Sequence, residues 1–506
     1  MDKNGNITIS NPQKGIANSS ILGNEAIIGC EIFEEPGVLK IQSALEEDGS
    51  GCNTGGSGGS TPMTGVIVAD VTNYNADNEL NRTILTETGQ LYSLGNANST
   101  MASNLSQGWD ACVWNSTYTV DSYAQSGTGY IGVIWHDPNN STGSWEAAEI
   151  GSLTGTHAIK LLMAQDGYMY FTNGNTIGRI TNITGGSGSV TVTSSSNVLD
   201  LPPNVYAVTM TELGSRLLIG TQKGYSYSAR QDFQGADIYP WDRVSSSFSL
   251  PVKIDENGMN AMISHRNQVY FSAGDDGRIY TTDGTNYQLV KRLPYNRSGR
   301  YNPTSWVYIN GMAINQQGHL MVGLSANYDS NSPTTTGIWE IGLTQGYPTH
   351  LPFFSRDGNL GQTANVKIGT VRVLNDDALS FGIASGTDYE LSTTSATALN
   401  TGYTAKWRTE FFMVGSRNNR KSFNTLEFTL LEPLIANQGI RIAYRKNRSE
   451  SFTTIGTFTF ATLGSVISHN TKALIADAEM VQFEISLEYT SAVFGENVNL
   501  IRITVN

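Results

Sequence analysis

Charge is scarce in this chain. Only 15% of its 506 residues are Asp, Glu, Lys or Arg, against about 25% in an average soluble domain. Gly, Ser, Thr and Asn fill the gap, with 53 glycines against 14 prolines. Disorder driven by charge is excluded, because it takes high net charge and few aromatics; here aromatics reach 9%, with 23 tyrosines. Cysteine is also scarce. Cys30, Cys52 and Cys112 are odd in number and irregular in spacing, which suits neither a disulfide framework nor a zinc site, so free thiols are expected. No apolar run approaches the 18 or more residues of a membrane span. The opening Met1-Asp2-Lys3-Asn4-Gly5-Asn6 is polar and lacks the apolar core of a secretory signal. Synthesis in a cytosol is therefore expected, and triplets such as Asn98-Ser99-Thr100 read as composition rather than glycosylation sites. Helical periodicity is nearly absent, and only Thr471–Met480 suggests a short helix or loop.

The charge that is present is uneven. Residues 400–506 hold 11 basic and 9 acidic side chains, leaving 20 and 35 for the remainder, so a net charge of −13 divides into +2 and −15. This marks a boundary near residue 400 and argues against a nucleic-acid wrapping surface, which needs clustered cations.

Between residues 65 and 400 a pattern recurs: an apolar run, a polar turn, a second apolar run, a Gly-rich turn and a third alternating run. Ile159–Thr181, Met210–Arg230, Met262–Tyr287, Met312–Ile341 and Val371–Leu391 show it clearly, and Ile84–Leu94 and Gly129–Trp135 weakly. Taking Gly89, Gly129, Gly167, Gly214, Asn267, Gly318 and Asp377 as first-turn markers gives intervals of 40, 38, 47, 53, 51 and 59. Four-stranded propeller blades repeat at roughly 40–50 residues, because a small sheet buries both faces only against neighbouring sheets. A β-solenoid needs shorter and stricter periods; two stacked sandwiches remain open. After residue 400 the rhythm changes to period two: Leu426, Phe428 and Leu430; Ile440, Ile442 and Tyr444; Val481, Phe483, Ile485, Leu487 and Tyr489; Ile501, Ile503 and Val505. Such strands bury one face and wet the other, as in a β-sandwich.

Chemistry leaves few traces. His136, His157, His265, His319, His350 and His469 show no metal-ligand spacing. Gly55-Gly56-Ser57-Gly58-Gly59 matches a nucleophile elbow only in letters, lacking the strand before and helix after it. Asp255-Glu256-Asn257-Gly258, Asp275-Asp276-Gly277 and Asp376-Asp377 offer oxygen ligands but no calcium loop, and are expected to be turns. Ser272–Gly277 is a truncated Asp-box without its Thr-Trp. Arg417, Arg420 and Lys421, with Arg441, Arg445, Lys446 and Arg448, form basic clusters, expected to be a solvated strand face rather than a nucleic-acid or acidic-partner surface. Trp114, Trp135, Trp145 and Trp241 are the candidates for an exposed glycan-binding rim. No catalytic, cofactor or metal site is expected.

Three features together resemble the β-propeller virion proteins of tailed bacteriophages, the tail nozzle (tail tubular) type of short-tailed phages. They are the opening Gly15–Ser20, Ala26–Phe33 and Pro36-Gly37-Val38-Leu39; the degenerate repeats without an enzymatic signature; and the closing stretch with Trp407, Arg408, Phe411, Lys421-Ser422-Phe423, Ile440–Arg445 and Ile501–Val505. The resemblance implies a homo-oligomeric ring, commonly a hexamer, around a DNA exit channel in the virion. Its partners would be adaptor or portal proteins and fibres or spikes, with no sequence-specific DNA binding, no membrane span and no catalytic residues. This chain is shorter than many nozzle proteins, so a different tail or head-decorating station is the neighbouring expectation. An acidic propeller could line a DNA conduit without sticking, since like charge repels phosphate.

The expected architecture is all-β: an N-terminal strand arm (1–48), a Gly/Ser-rich linker (49–61), a six- or seven-bladed β-propeller (62–399) and a C-terminal β-sandwich (400–506). The expected function is a non-enzymatic structural virion protein. The rivals are a receptor- or carbohydrate-binding propeller on the virion surface and a glycan hydrolase.

Overall fold

A computed structural model describes residues 64–74, 80–94, 99–102, 105–136, 143–224, 235–293, 305–326, 337–344, 347–353, 367–374, 378–385, 388–399, 405–409, 411–414, 420–447, 449–489 and 500–505, with strand segments at 7–9, 26–28, 30–31, 40–41 and 43–47. The linker at 49–61, Cys52, Asp376, Asp377, Arg417 and Arg448 lie outside the described residues. The protein is all-β, with 69% strand and 1% helix.

Contact density divides the chain into two compact units. One comprises Glu47–Gly337 with Leu360–Thr393; the other comprises Met1–Glu46, Ile338–Asn359 and Thr394–Asn506.

Seven four-stranded antiparallel sheets follow one another along the chain. Six are simple meanders, each strand pairing with the next, opening at Ile67–Tyr74, Gln107–Asn115, Leu161–Met163, Val205–Leu213, Met259–His265 and Ser305–Ile314. The seventh runs Lys367–Val373, Leu379–Ser385 and Asp388–Leu399, and takes its fourth strand, Ser43–Glu47, from ahead of the first sheet. The turn markers explain the periodicity in part. Gly167, Gly214, Asn267 and Gly318 sit between first and second strands with φ of 84°, 59°, 62° and 83°, a region that favours Gly and Asn. Two markers are displaced. Gly89 lies in the second turn of the first sheet, and Gly129 lies inside a strand, Thr128–His136. The first turn of the second sheet needs no glycine, because Asn115 Oδ1 accepts the N–H groups of Thr117 (2.8 Å) and Tyr118 (3.1 Å), an Asx turn.

The seventh sheet packs on the first. Arg82 donates to Ser380 Oγ at 2.7 Å, and Ser380 donates to Asp70 Oδ2 at 3.0 Å. Gly369 is backed against the main chain: a Cβ there would lie 1.8 Å from the Ile67 carbonyl oxygen.

In the other unit, N-terminal strands pair with C-terminal ones. Ile7–Ile9 pairs with Leu500–Val505, in a sheet that continues through Lys421–Leu430 to Ser468–Ala478. Ala26–Ile28 pairs with Ala405–Arg408, in a sheet that continues through Met480–Tyr489 and Gln438–Arg445 to Thr453–Thr459. Both sheets feed one core that includes Trp407, Phe423, Phe428, Ile442, Phe483, Ile485 and Ile503.

Two expectations fail here. Thr471–Met480 is not helical: Ser468–Ala478 is a strand, with Thr471 opposite Leu426 and Ile475 buried opposite Phe423. Completing a sheet outweighs the helix preference of its alanines. The only helix among the described residues is Phe460–Leu463. Second, Met480–Tyr489 is not wet on its polar face, because Gln482, Glu484 and Ser486 are buried. Buried polar side chains must find partners. Gln482 donates to the Thr409 carbonyl (2.6 Å) and accepts from Arg445 Nε (2.6 Å), and Glu484 pairs with Arg408 (2.6 Å).

Candidate functional site

The first strand of each meander is apolar because it packs between neighbouring sheets, and a few polar residues interrupt it. Asp70 follows Val66-Ile67-Val68-Ala69, and Asp110 follows Trp109. These interruptions meet. The first strands of sheets one, two, four, five, six and seven, and the start of the third sheet at Lys160–Leu162, line a single cavity of about 320 Å³.

Two ion-pair networks occupy its wall. In the first, the fully buried Asp70 carboxylate takes Arg82 side-on, with Nε to Oδ1 and Nη2 to Oδ2 both at 2.7 Å. This is the bidentate fork that makes Arg–carboxylate pairs strong. In the second, Asp110 accepts from Lys160 Nζ (3.0 Å), Asn310 Nδ2 (2.8 Å) and the N–H groups of Ala111 (2.9 Å) and Leu161 (2.7 Å). Lys160 Nζ also donates to Asn310 Oδ1 at 2.6 Å, and Asn310 Nδ2 donates to the Val68 carbonyl at 2.9 Å. Asn310 reaches these partners because the strand Ser305–Ile314 loses register between Val307 and Met312, a bulge that re-aims side chains. Cys112 also lines the cavity, and burial, aided by the Asp110 charge, pushes its thiol up to about 11. It is a free thiol, in surroundings that disfavour its thiolate.

Outside the cavity, Asp121 is buried in the second sheet. Its Oδ1 accepts from Trp145 Nε1 at 3.1 Å and its Oδ2 has no partner. Burial pushes its pKa up to about 7, opposed by the indole hydrogen bond. A carboxyl whose folded pKa exceeds its unfolded value contributes stability that is lost as pH rises from about 4 to about 7. Asp121→Asn is therefore expected to gain on the wild type through that window. Above it the lead should stay constant, on the order of a few kcal/mol. His136 and His157, which burial lowers to about 4, act oppositely, losing stability as pH falls from about 6.5 toward 4. Both proteins share them, so the difference between two urea-unfolding series across pH 4–8 isolates Asp121. A flat difference would mean that its carboxylate is solvated.

The residues singled out in the sequence lie elsewhere. Trp241 is buried, and Trp114, Trp135 and Trp145 are half-buried against cores, so these four make no exposed aromatic rim. Glu256 is bound by Arg278 and the Tyr280 hydroxyl, and Asp276 by Arg278 (2.8 Å) and Arg292 (3.1 Å). These acids face arginines, and among the described residues no group of three or more His, Cys, Asp or Glu is placed to hold a metal ion. His136 bonds Thr119 Oγ1 at 2.8 Å, and His157 stacks on Tyr206 at 4.0 Å. The described basic residues are largely engaged: Arg445 sits over Phe411 and Phe452, Arg441 bonds Ser486 (3.4 Å), and Arg420 bonds Glu479 (3.3 Å). Asp70, Arg82, Asp110, Lys160, Asn310 and Arg372 escape sequence reasoning. For Asp70, Asp110, Asn310 and Arg372 the one signal is a polar residue interrupting the apolar opening strand of a repeat.

No family model matches the chain, and no curated protein matches it. Among solved structures it is similar to a computationally designed protein, Ika8, at 13% identity over 64% of this chain and 82% of that one, with a TM-score of 0.37. It is also similar to the extracellular domain of a candidate hybrid two-component system from B. thetaiotaomicron, at 12% identity over 82% of this chain and 46% of that one, with a TM-score of 0.43. A third is an exo-β-1,3-galactanase from Phanerochaete chrysosporium, at 10% identity over 81% and 97%, with a TM-score of 0.29. Likeness of this degree assigns no function, so the cavity's chemistry is read from its own residues. Its two carboxylates are each already bound to a cation, an arrangement suited to holding sheets together.

Proposed function

We propose that this chain is a structural protein of a tailed-bacteriophage particle, of the tail nozzle kind. In this reading the seven meanders form a seven-bladed β-propeller that Ser43–Glu47 closes, and the other unit is a β-sandwich. Copies assemble into a ring around the DNA exit channel and bind neighbouring tail proteins. One observation carries the proposal: strands 7–9 and 26–28 pair with 500–505 and 405–408. The meanders thus follow N-terminal strands and precede the C-terminal sheets those strands join, in keeping with the opening and closing stretches on which the sequence resemblance rests. The cavity supports a non-catalytic role. Glycoside hydrolysis needs two carboxyls free to act on a substrate, whereas Asp70 and Asp110 are held by Arg82 and by Lys160 with Asn310. A cavity of about 320 Å³ does not admit a duplex whose major groove alone is about 12 Å wide, so the conduit lies between copies.

Light scattering and negative-stain imaging of the purified chain test this. Discrete rings are expected, near the hexamer of the resemblance. Removing residues 1–28 should abolish them, because it strips both C-terminal sheets of an edge strand. A monodisperse monomer retained on a glycan array would overturn the proposal in favour of a receptor-binding protein.

A further inference from the structure

We propose that the cavity lined by the seven sheets binds a small oxyanion, a carboxylate or phosphate group, anchored on Arg372. The proposal goes beyond the structural role above and does not depend on it.

The charge balance comes first. The lining carries two carboxylates, Asp70 and Asp110, and two cations, Lys160 and Arg372. Asp70 also takes Arg82, which does not line the cavity, so Arg372 is the second guanidinium on one carboxylate. Asp70 is already satisfied by the Arg82 fork and by Ser380, so Arg372 meets it only at 3.5 Å, through Nη1. The same Nη1 donates to Thr72 Oγ1. Nε and Nη2 of Arg372 make no hydrogen bond among the described residues, and its side chain is 27% exposed. An arginine presents five N–H donors in a rigid fork shaped for carboxylate or phosphate. Here one edge of that fork is uncommitted and lines a cavity.

The surroundings favour an acceptor-bearing ligand. Asp110 is saturated by four donors and so does not compete for Arg372. Thr211 lines the same cavity, and its hydroxyl makes no hydrogen bond among the described residues. None of the lining residues is aromatic, which removes the stacking surface a sugar or base ring would use. About 320 Å³ lies at the lower end of small-molecule pockets, so the ligand has few heavy atoms. The alternative is that Arg372 only adds a second cation to Asp70.

Isothermal titration of the full chain with sodium acetate and, separately, with inorganic phosphate at low ionic strength decides between them. One site per chain is expected for at least one anion. Arg372→Met should weaken it at least about tenfold. Thr211→Val, close in shape, should weaken it less, and it keeps the test open if Arg372→Met does not fold. Arg420→Gln, on the other unit, should leave it unchanged. Binding of acetate alone identifies a carboxylate ligand, and binding of phosphate alone a phosphoryl one. No saturable heat with either anion, or unchanged binding in both cavity variants, would overturn the proposal.

Discussion

Asp110→Ala is expected to cost about 3–5 kcal/mol of stability, the range found when one member of a buried ion pair is removed. The Asp110 side chain is 2% exposed and that of Lys160 15%. Its loss leaves the lysine without its counter-charge and strips the Leu161 and Ala111 N–H groups of their acceptor. An unpaired buried donor costs its desolvation without return. Asn310, which ties the sixth sheet to the Val68 carbonyl and to Lys160, loses one of its three partners. Chemical unfolding followed through the nearby Trp109 would measure the loss. Asp110→Asn should fall between, keeping an acceptor while losing the charge. A cost below about 1 kcal/mol would mean that the network does not hold the sheets together, and that these residues are free to serve a ligand instead.

Gly369→Ala is expected to destabilise by more than about 3 kcal/mol, beyond the usual range for overpacking. The new methyl would lie 1.8 Å from the Ile67 carbonyl oxygen and 2.9 Å from Val66 Cγ2. The nearer neighbour is main chain and cannot rotate aside, so the strands Lys367–Val373 and Ile67–Tyr74 would have to separate. Gly186→Ala is the control: its nearest atoms are at 3.9 Å, on the Trp135 ring, and the change should stay within about 0.5 kcal/mol. Thermal unfolding of the two variants beside the wild type would decide. Equal midpoints would mean that the seventh sheet does not press on the first.

The proposed ring and the oxyanion site make separate demands on the same chain. Arg372 and Thr211 lie in the unit formed by Glu47–Gly337 with Leu360–Thr393, whereas strands 7–9 and 26–28 belong to the other unit. Loss of anion binding in Arg372→Met with rings intact would assign the cavity a role of its own. Loss of rings on removing residues 1–28 with anion binding intact would assign assembly to the opening strands.

Short-range information was legible in the sequence. Apolar runs of period two, broken by turns, mark strands, and positive φ at Gly167, Gly214, Asn267 and Gly318 is why those turns carry Gly or Asn. The same logic missed the turn after Asn115, where a side-chain oxygen does the work of a glycine. Buried Gln482 and Glu484 read as solvent-facing, because alternation does not reveal that Arg408 and Arg445 bond to a strand's polar face.

Sequence alone determined the all-β class, the repeating meander and the absence of a recognisable catalytic motif, since each depends on residues close together in the chain. Tertiary structure alone decided which strands share a sheet and which polar residues meet. Ser43–Glu47 joins strands more than 300 residues away. Arg372, from the seventh sheet, meets the Asp70–Arg82 pair of the first, and Asp110, Lys160 and Asn310 converge from three different sheets. The physical reason is that local preference acts over a few residues, whereas burial forces a polar group to find a partner wherever the fold brings one within hydrogen-bonding distance.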